Sequence, residues 1–119
     1  MPGTISWFEV RGRDAEKLRS FYQDLFDWSF QLDSSPGDYG VVTPDQAQVP
    51  GGVGAAGPDE MGGDGWSTFY VDVPSVSGSI EQALAIGGKL LMPPTSLPDT
   101  TIAVIADPEG HPVGLSGPA

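Results

Sequence analysis

The sequence predicts an α+β fold built from two βαβββ modules, with eight strands in one curved mixed sheet around a cleft and the helices on its outer face. Three observations predict it. The same order of elements runs twice along the 119 residues. Each half opens on a strand-like stretch that leads directly into a helical one. The 17 glycines and 12 prolines favour many turns and short strands over long helices. A chain of this length holds one compact domain with a core. Residues 1–119 are therefore read as a single domain, with modules at about 1–56 and 66–119 and a linker at 57–65.

In the first module, "TISWFEV" is rich in β-branched and aromatic residues and reads as a strand. Asp14 is placed to accept the free N–H groups of a first helical turn. Leu18, Tyr22 and Leu25 then recur at helical spacing, with Phe21 and Phe26 beside them, which predicts a helix over 14–26. "WSFQL", "YGVVT" and "VPGGVGAAG" supply three further strands. The segment "AGPDEMGGDG" carries glycine, proline and acid with Met61 as its only large apolar side chain, and reads as the linker.

The second module repeats the order. "GWSTFYVDV" is a strand, and "SVSGSIEQALAIGG" is a helix with Val76, Ile80, Ala83 and Leu84 on one face. Its Gly87-Gly88 end suits a left-handed cap. "KLLMP", "TIAVIAD" and "PVGL" complete it. "WFEV" against "TFYV" is the best local match between the halves, so the repeat lies in the order of elements.

Side chains two apart on a strand share a face. Phe8 and Val10 thus alternate with Trp7 and Glu9, and Phe69, Val71 and Val73 with Thr68, Tyr70 and Asp72. The wholly apolar set in each strand is expected to face its helix. The mixed set is then expected to face the cleft, which makes Trp7 and Glu9 pocket wall rather than core.

Net charge is −11, from 16 acids against 5 bases. That argues against nucleic acid, whose phosphates need a basic face, and against anionic membrane surfaces. No run of about 18 apolar residues is present to span a bilayer. The N-terminal stretch lacks a basic segment followed by an apolar one, so a cytoplasmic location is expected. With no cysteine there is no disulfide framework and no thiolate chemistry.

"FEVRGRDAEKLRSFYQDLFDW", "YVDVPSVSGSIEQALAIGGKLLMPP" and "ADPEGHPVGL" together resemble the vicinal oxygen chelate superfamily, also called the glyoxalase/bleomycin resistance/dioxygenase superfamily. The resemblance spans nearly the whole chain. It implies paired modules around a cleft, a small-molecule ligand and frequently a homodimer. Members range from isomerases, epimerases, ring-cleaving dioxygenases and thiol transferases acting on antibiotics to proteins that only bind a drug, so the function has to come from the side chains.

Metal-using members place His or Glu on four cleft-facing strands. Carried onto this chain, the first of those positions falls on Trp7. The second falls near Gly51 to Val53, the third on Thr68 and the fourth on Gly114. None is a His, Glu or Asp, whereas divalent metals need several such donors at about 2.0–2.3 Å. No metal and no other cofactor is therefore expected. His111, the one histidine, sits in a turn and reads as a solvated surface residue.

The remaining chemistry rests on a few side chains. Glu9, if desolvated beside Trp7, would have a raised pKa and suit general acid–base work; equally, it would pair with Arg11 or Arg13. Tyr70 offers a hydroxyl on the matching face of the second module. Trp7 and Trp66 offer flat faces for stacking, and Thr68 and Gly114 complete the ligand-binding set. Trp28 reads as a core or dimer-interface residue. "GGVGAAG" lacks the Lys and Ser/Thr ending of a phosphate loop. Three functions remain open: a metal-free binding protein for a planar or aromatic molecule; a metal-independent lyase or isomerase of a small carbonyl compound using Glu9 or Tyr70; and a subunit that mainly dimerises.

Overall fold

The computed structural model describes residues 2–32, 38–56 and 65–119. The chain divides into two compact units, Trp7–Ser67 and Met1–Ser6 with Thr68–Ala119. The boundary passes within the first and fifth strands. Most of the segment read as a linker lies outside the described residues. Eight strands and three helices are present among those described, with parallel and antiparallel pairing, so the fold is α+β as expected.

The first unit contains most of β1 (Ile5–Gly12), then α1 (Ala15–Phe26), β2 (Gln31–Leu32), β3 (Tyr39–Val42), a short α2 (Pro44–Ala47) and β4 (Gly51–Ala55). The helix begins where Asp14 accepts from the Lys17 N–H at 3.0 Å, the cap its sequence position predicts. The strand order is β2-β3-β4-β1. β1 runs parallel to β4, with Phe8 opposite Gly51 and Glu9 opposite Gly52. β2, β3 and β4 are antiparallel. Of "WSFQL" only Gln31–Leu32 is strand. The turn α2 was not expected; Pro44 at its first position presets φ for a helical start.

Val42 and Val53 are fully buried in this unit. Phe8, Tyr22, Phe26 and Phe30 surround Trp28, with Phe8 and Trp28 centroids 5.4 Å apart. The apolar residues of α1 do not all go inside. Phe21, Leu25 and Phe26 remain more than half exposed, while Arg19 is buried. The reason is polar: Arg19 donates to the Val53 carbonyl at 3.2 Å and pairs with Asp38 at 2.5 Å. The guanidinium therefore takes the central contact of the helix, and the aromatic side chains lie beside it.

The second unit contains most of β5 (Trp66–Asp72), from Thr68 on, then α3 (Val76–Ala85), β6 (Lys89–Ser96), β7 (Thr101–Ala106) and β8 (Pro112–Gly117). Its order, β5-β8-β7-β6, mirrors that of the first. β5 runs parallel to β8, with Tyr70 opposite Gly114. β6, β7 and β8 are antiparallel. Val76 and Ile80 of α3 pack on Ala103 and Leu115, with Val73 and Ile105 against them. Leu84, on the same apolar face by sequence, is half exposed. α3 ends before Gly87, whose φ of +105° only glycine adopts freely. In β5 the buried set is Trp66, Thr68 and Tyr70, and Phe69 is 41% exposed. Phe69 alternates with that set, as expected, and lies on the more exposed of the two faces. No helix among the described residues is long and apolar enough to cross a membrane.

Candidate functional site

The alternation of β1 sorts its side chains onto two faces. A Cβ on Gly12 would meet Leu18 of α1, and Phe8 lies against Trp28 just past that helix. Trp7, Glu9 and Arg11 project from the opposite face. There Tyr39 reaches across from β3 and lies over β4. A Cβ on Gly52 would fall 2.0 Å from its ring, and one on Gly54 would fall 2.5 Å from it. Two glycines spaced two apart clear one face of β4, and the phenol fills that space.

Glu9 is the centre of the arrangement. It is 4% exposed. The Tyr39 hydroxyl donates to its Oε1 at 3.1 Å, and the same hydroxyl accepts from the Trp7 indole N–H at 3.1 Å. Trp66 Nε1 donates to Oε2 at 3.0 Å. Arg11 Nε lies 3.2 Å from that oxygen. Arg11 also donates to the Ala55 carbonyl at 3.0 Å and sits 5.2 Å over the Tyr39 ring. Of the two pairings open to Glu9 in the sequence, Arg11 and Arg13, the structure shows the first. Burial, then the Glu9 charge, push the Tyr39 hydroxyl pKa well above its ordinary value. The phenol therefore stays protonated and remains a donor at neutral pH.

Within the second unit, Thr68 donates to the Pro112 carbonyl at 2.6 Å. The Tyr70 ring lies on Gly114, where a Cβ would be 2.3 Å away. Both Thr68 and Tyr70 are buried. His111 stands at an exposed turn, its Nδ1 3.0 Å from Asp107. Tyr39 was not singled out from the sequence. The available signal was the alternation of Gly52 and Gly54 opposite an aromatic strand residue.

The family positions do not fit a divalent metal. Trp7 offers an N–H that is already donated, the side chains at Gly51, Gly52, Val53 and Gly114 hold no donor atom, and the Thr68 hydroxyl faces a carbonyl. Glu9 accepts from three donors, one of them cationic, where a metal ligand would present a lone pair to the ion. Among the described residues no three His, Cys, Asp or Glu side chains come together.

Residues 7–116 match the family described as a glyoxalase-like domain. The chain belongs to that family. It is 31% identical over 120 residues to CFP32 of Mycobacterium tuberculosis and Mycobacterium bovis, a protein named as a glyoxylase. The match covers 95% of this chain and 45% of the relative, so the chain spans about half the length of those proteins. Among solved structures, a hypothetical protein from Bacillus halodurans is similar at a TM-score of 0.70 and 10% identity, over 100% of this chain and 96% of that one. A glyoxalase/bleomycin resistance protein/dioxygenase superfamily member from Vibrio splendidus is similar at a TM-score of 0.64 and 14% identity, over 98% and 99%. These likenesses are of fold.

Proposed function

We propose that the chain binds a small, flat molecule at the face built by Trp7, Tyr39 and Arg11, as a sequestering protein rather than as an enzyme. One observation carries the reading: both oxygens of Glu9 are already accepting, from Tyr39, Trp66 and Arg11. A general base needs a lone pair aimed at the substrate proton. Here the carboxylate instead holds two aromatic rings and a guanidinium in place. Tyr39 is kept protonated and is no base. Tyr70, the other candidate for proton transfer, has its ring laid on Gly114. The ligand-binding roles of Trp66, Thr68 and Gly114 become supporting ones: Trp66 orients Glu9, and Thr68 and Gly114 shape β5 and β8.

A cytoplasmic location and a second copy of the chain as partner belong to the same proposal. The apolar side chains that α1 leaves exposed, Phe21, Leu25 and Phe26, support the second copy. A light-scattering mass of one chain at micromolar concentration would remove it.

The deciding experiment is native mass spectrometry of the protein as purified, identification of any molecule carried with it, and product analysis after incubation with that molecule. Saturable binding without turnover is expected. Trp7→Ala should weaken it by about 1–3 kcal/mol, as loss of an aromatic anchor does. Turnover abolished in Glu9→Gln would replace this reading with the metal-independent lyase or isomerase.

A further inference from the structure

We propose that Arg19 of α1 is the positioning residue of the Tyr39–Glu9 arrangement: from the α1 side of the strands it ties the start of β3 to β4, and so holds Tyr39 over Gly52 and Gly54. The inference concerns how the site is assembled. It goes beyond the binding reading and needs no ligand, so the two stand or fall apart.

Tyr39 opens a strand of only four residues. Strand ends open locally at little cost, and the ring that fills the glycine-lined space of β4 is carried by such an end. On the Tyr39 face, two hydrogen bonds hold the tip of the side chain. Its hydroxyl donates to Glu9 and accepts from the Trp7 indole. Neither bond fixes the backbone that carries the ring. Neighbouring side chains on a strand point to opposite faces, so Asp38 and Gly40 face the other way, and there Arg19 acts on the backbone. Its guanidinium donates to the Val53 carbonyl at 3.2 Å, lies 3.5 Å from the Asp38 carbonyl and pairs with the Asp38 carboxylate at 2.5 Å. In the ladder Gly40 stands opposite Val53, and Tyr39 opposite Gly54. One planar group thus bridges β3 and β4 beside Tyr39. The Ala55 N–H donates to the same Asp38 carbonyl at 2.8 Å.

Two features favour positioning over bulk stability. Gly40 leaves the passage for the side chain: a Cβ there would fall 2.6 Å from Arg19 Cδ. Glycine inside a strand weakens it, so the passage has a cost that an apolar residue at 19 would not impose. Arg19 is also buried, while the Asp38 side chain is 53% exposed. A buried ion pair stabilises a fold no better than apolar side chains of similar volume, but a rigid fork of donors fixes direction. An apolar side chain at 19 fills the helix contact and leaves β3 untied.

The test reads Tyr39 itself. Tyrosine is labelled at Cζ, and the Tyr39 signal is assigned by its absence in Tyr39→Phe. At pH 7 the Trp7 indole N–H, which donates to the Tyr39 hydroxyl, gives a second nuclear magnetic resonance signal. Both are recorded in the wild type, Arg19→Met and Val42→Ala, with the amide spectrum confirming the fold in each sample. Val42 is fully buried in the same strand, so its truncation lowers stability without removing the tie. In the wild type and Val42→Ala, Tyr39 is expected to remain a phenol at about pH 11, where an ordinary tyrosine of pKa about 10 is roughly nine-tenths ionised. In Arg19→Met it is expected to titrate as an ordinary tyrosine, and the Trp7 indole signal is expected to move at pH 7. A folded Arg19→Met with Tyr39 still protonated at that pH and the indole signal in place overturns the inference. So does a wild-type Tyr39 that titrates normally. So does a Val42→Ala that moves both signals as Arg19→Met does, because lost stability alone would then release the ring. Should Arg19→Met not fold, Arg19→Lys decides on the same two signals, since an ammonium is a single point and cannot span both strands.

Discussion

The two units follow the same path and pair their strands in the same order, yet they fill equivalent positions with different chemistry. Glu9 faces Gly52 across the parallel β1–β4 ladder, and Tyr70 faces Gly114 across the parallel β5–β8 ladder. Glu9 and Tyr70 are thus the same position in the repeat, and Trp7 matches Thr68. In both units a tyrosine lies over the glycine of the last strand. In the second unit that tyrosine is the first-strand residue itself. In the first unit it arrives from β3, because the first-strand position is held by a carboxylate. The difference teaches that the repeated topology fixes where side chains project, while a single exchange decides whether the position holds a charge or a ring. The first unit then needs Tyr39, Trp66 and Arg11 to satisfy that charge. The second unit needs only a hydroxyl bonded to a carbonyl at Thr68.

The comparison breaks most directly at Glu9 and Thr68. Glu9→Ala strands the Trp66 and Tyr39 donors and breaks the Arg11 ion pair. A loss of about 3 kcal/mol in unfolding free energy is expected, near the low end for a broken buried pair because Arg11 keeps some access to water. Thr68→Val removes one hydrogen bond at nearly constant volume, and a loss of about 1 kcal/mol is expected. Urea unfolding of both variants measures the difference. Equal losses would mean that the charged network does not set the first unit apart.

The glycines come next. Gly52→Ala places a Cβ 2.0 Å from the Tyr39 ring and Gly114→Ala places one 2.3 Å from Tyr70. Overpacking of this kind costs about 1–3 kcal/mol. Gly52→Ala should sit at the upper end, because a displaced Tyr39 also releases Glu9 and Trp7. Its tryptophan emission should shift, while that of Gly114→Ala should hardly change. Matching emission shifts in the two variants would erase the distinction.

What the sequence disclosed follows the range of the forces involved. Strand alternation is local, so Trp7 and Glu9 were correctly placed on one face of β1. Capping is local too, and Asp14 and Gly87 mark the helix ends where expected. Tyr39 was not legible, because its role needs β3 laid beside β4 and a glycine pair to receive it. Arg19 inverted the reading of α1 for a similar reason: its partners, Asp38 and the Val53 carbonyl, are distant in sequence. Periodicity counts apolar residues and gives no credit to a guanidinium that is fully bonded.

Alkaline pH sharpens the comparison with a smaller effect. The Tyr39 hydroxyl pKa is raised in the fold, by burial and by Glu9. The unfolded chain therefore loses this proton first, and the stabilisation is complete below about pH 10 and is lost as pH rises beyond it. Ultraviolet titration at the phenolate band should show a late step in the wild type that belongs to Tyr39. Tyr39→Phe should remove that late step and flatten the alkaline fall in stability. A late step that persists in Tyr39→Phe would assign it elsewhere and leave the first unit without its raised phenol.

The smallest expected effect lies at the β7–β8 turn of the second unit. The Asp107 carboxylate accepts from the backbone N–H of His111 and of Glu109, each at 2.9 Å, and lies 3.0 Å from the His111 ring. The His111 N–H, foremost among these, holds the carboxyl pKa below its ordinary value. The sign is opposite to that of Tyr39: the stabilisation is present above the ordinary carboxylate pKa and is lost as pH falls through the lowered one. The turn lies at the surface, with the Asp107 side chain 39% exposed, so screening keeps the contribution minor. Asp107→Asn should leave the unfolding midpoint almost unchanged at neutral pH and reduce its fall in acid. The informative readout is local. The Gly110 N–H donates to the Asp107 carbonyl at 2.9 Å, so its hydrogen exchange should speed up in Asp107→Asn at neutral pH and in the wild type only in acid. The indole protons of Trp7 and Trp66 should keep their chemical shifts in that variant. If they move with the turn, the carboxylate network of the first unit is coupled to the acid-sensitive turn of the second, and the two regions cannot be treated as separate.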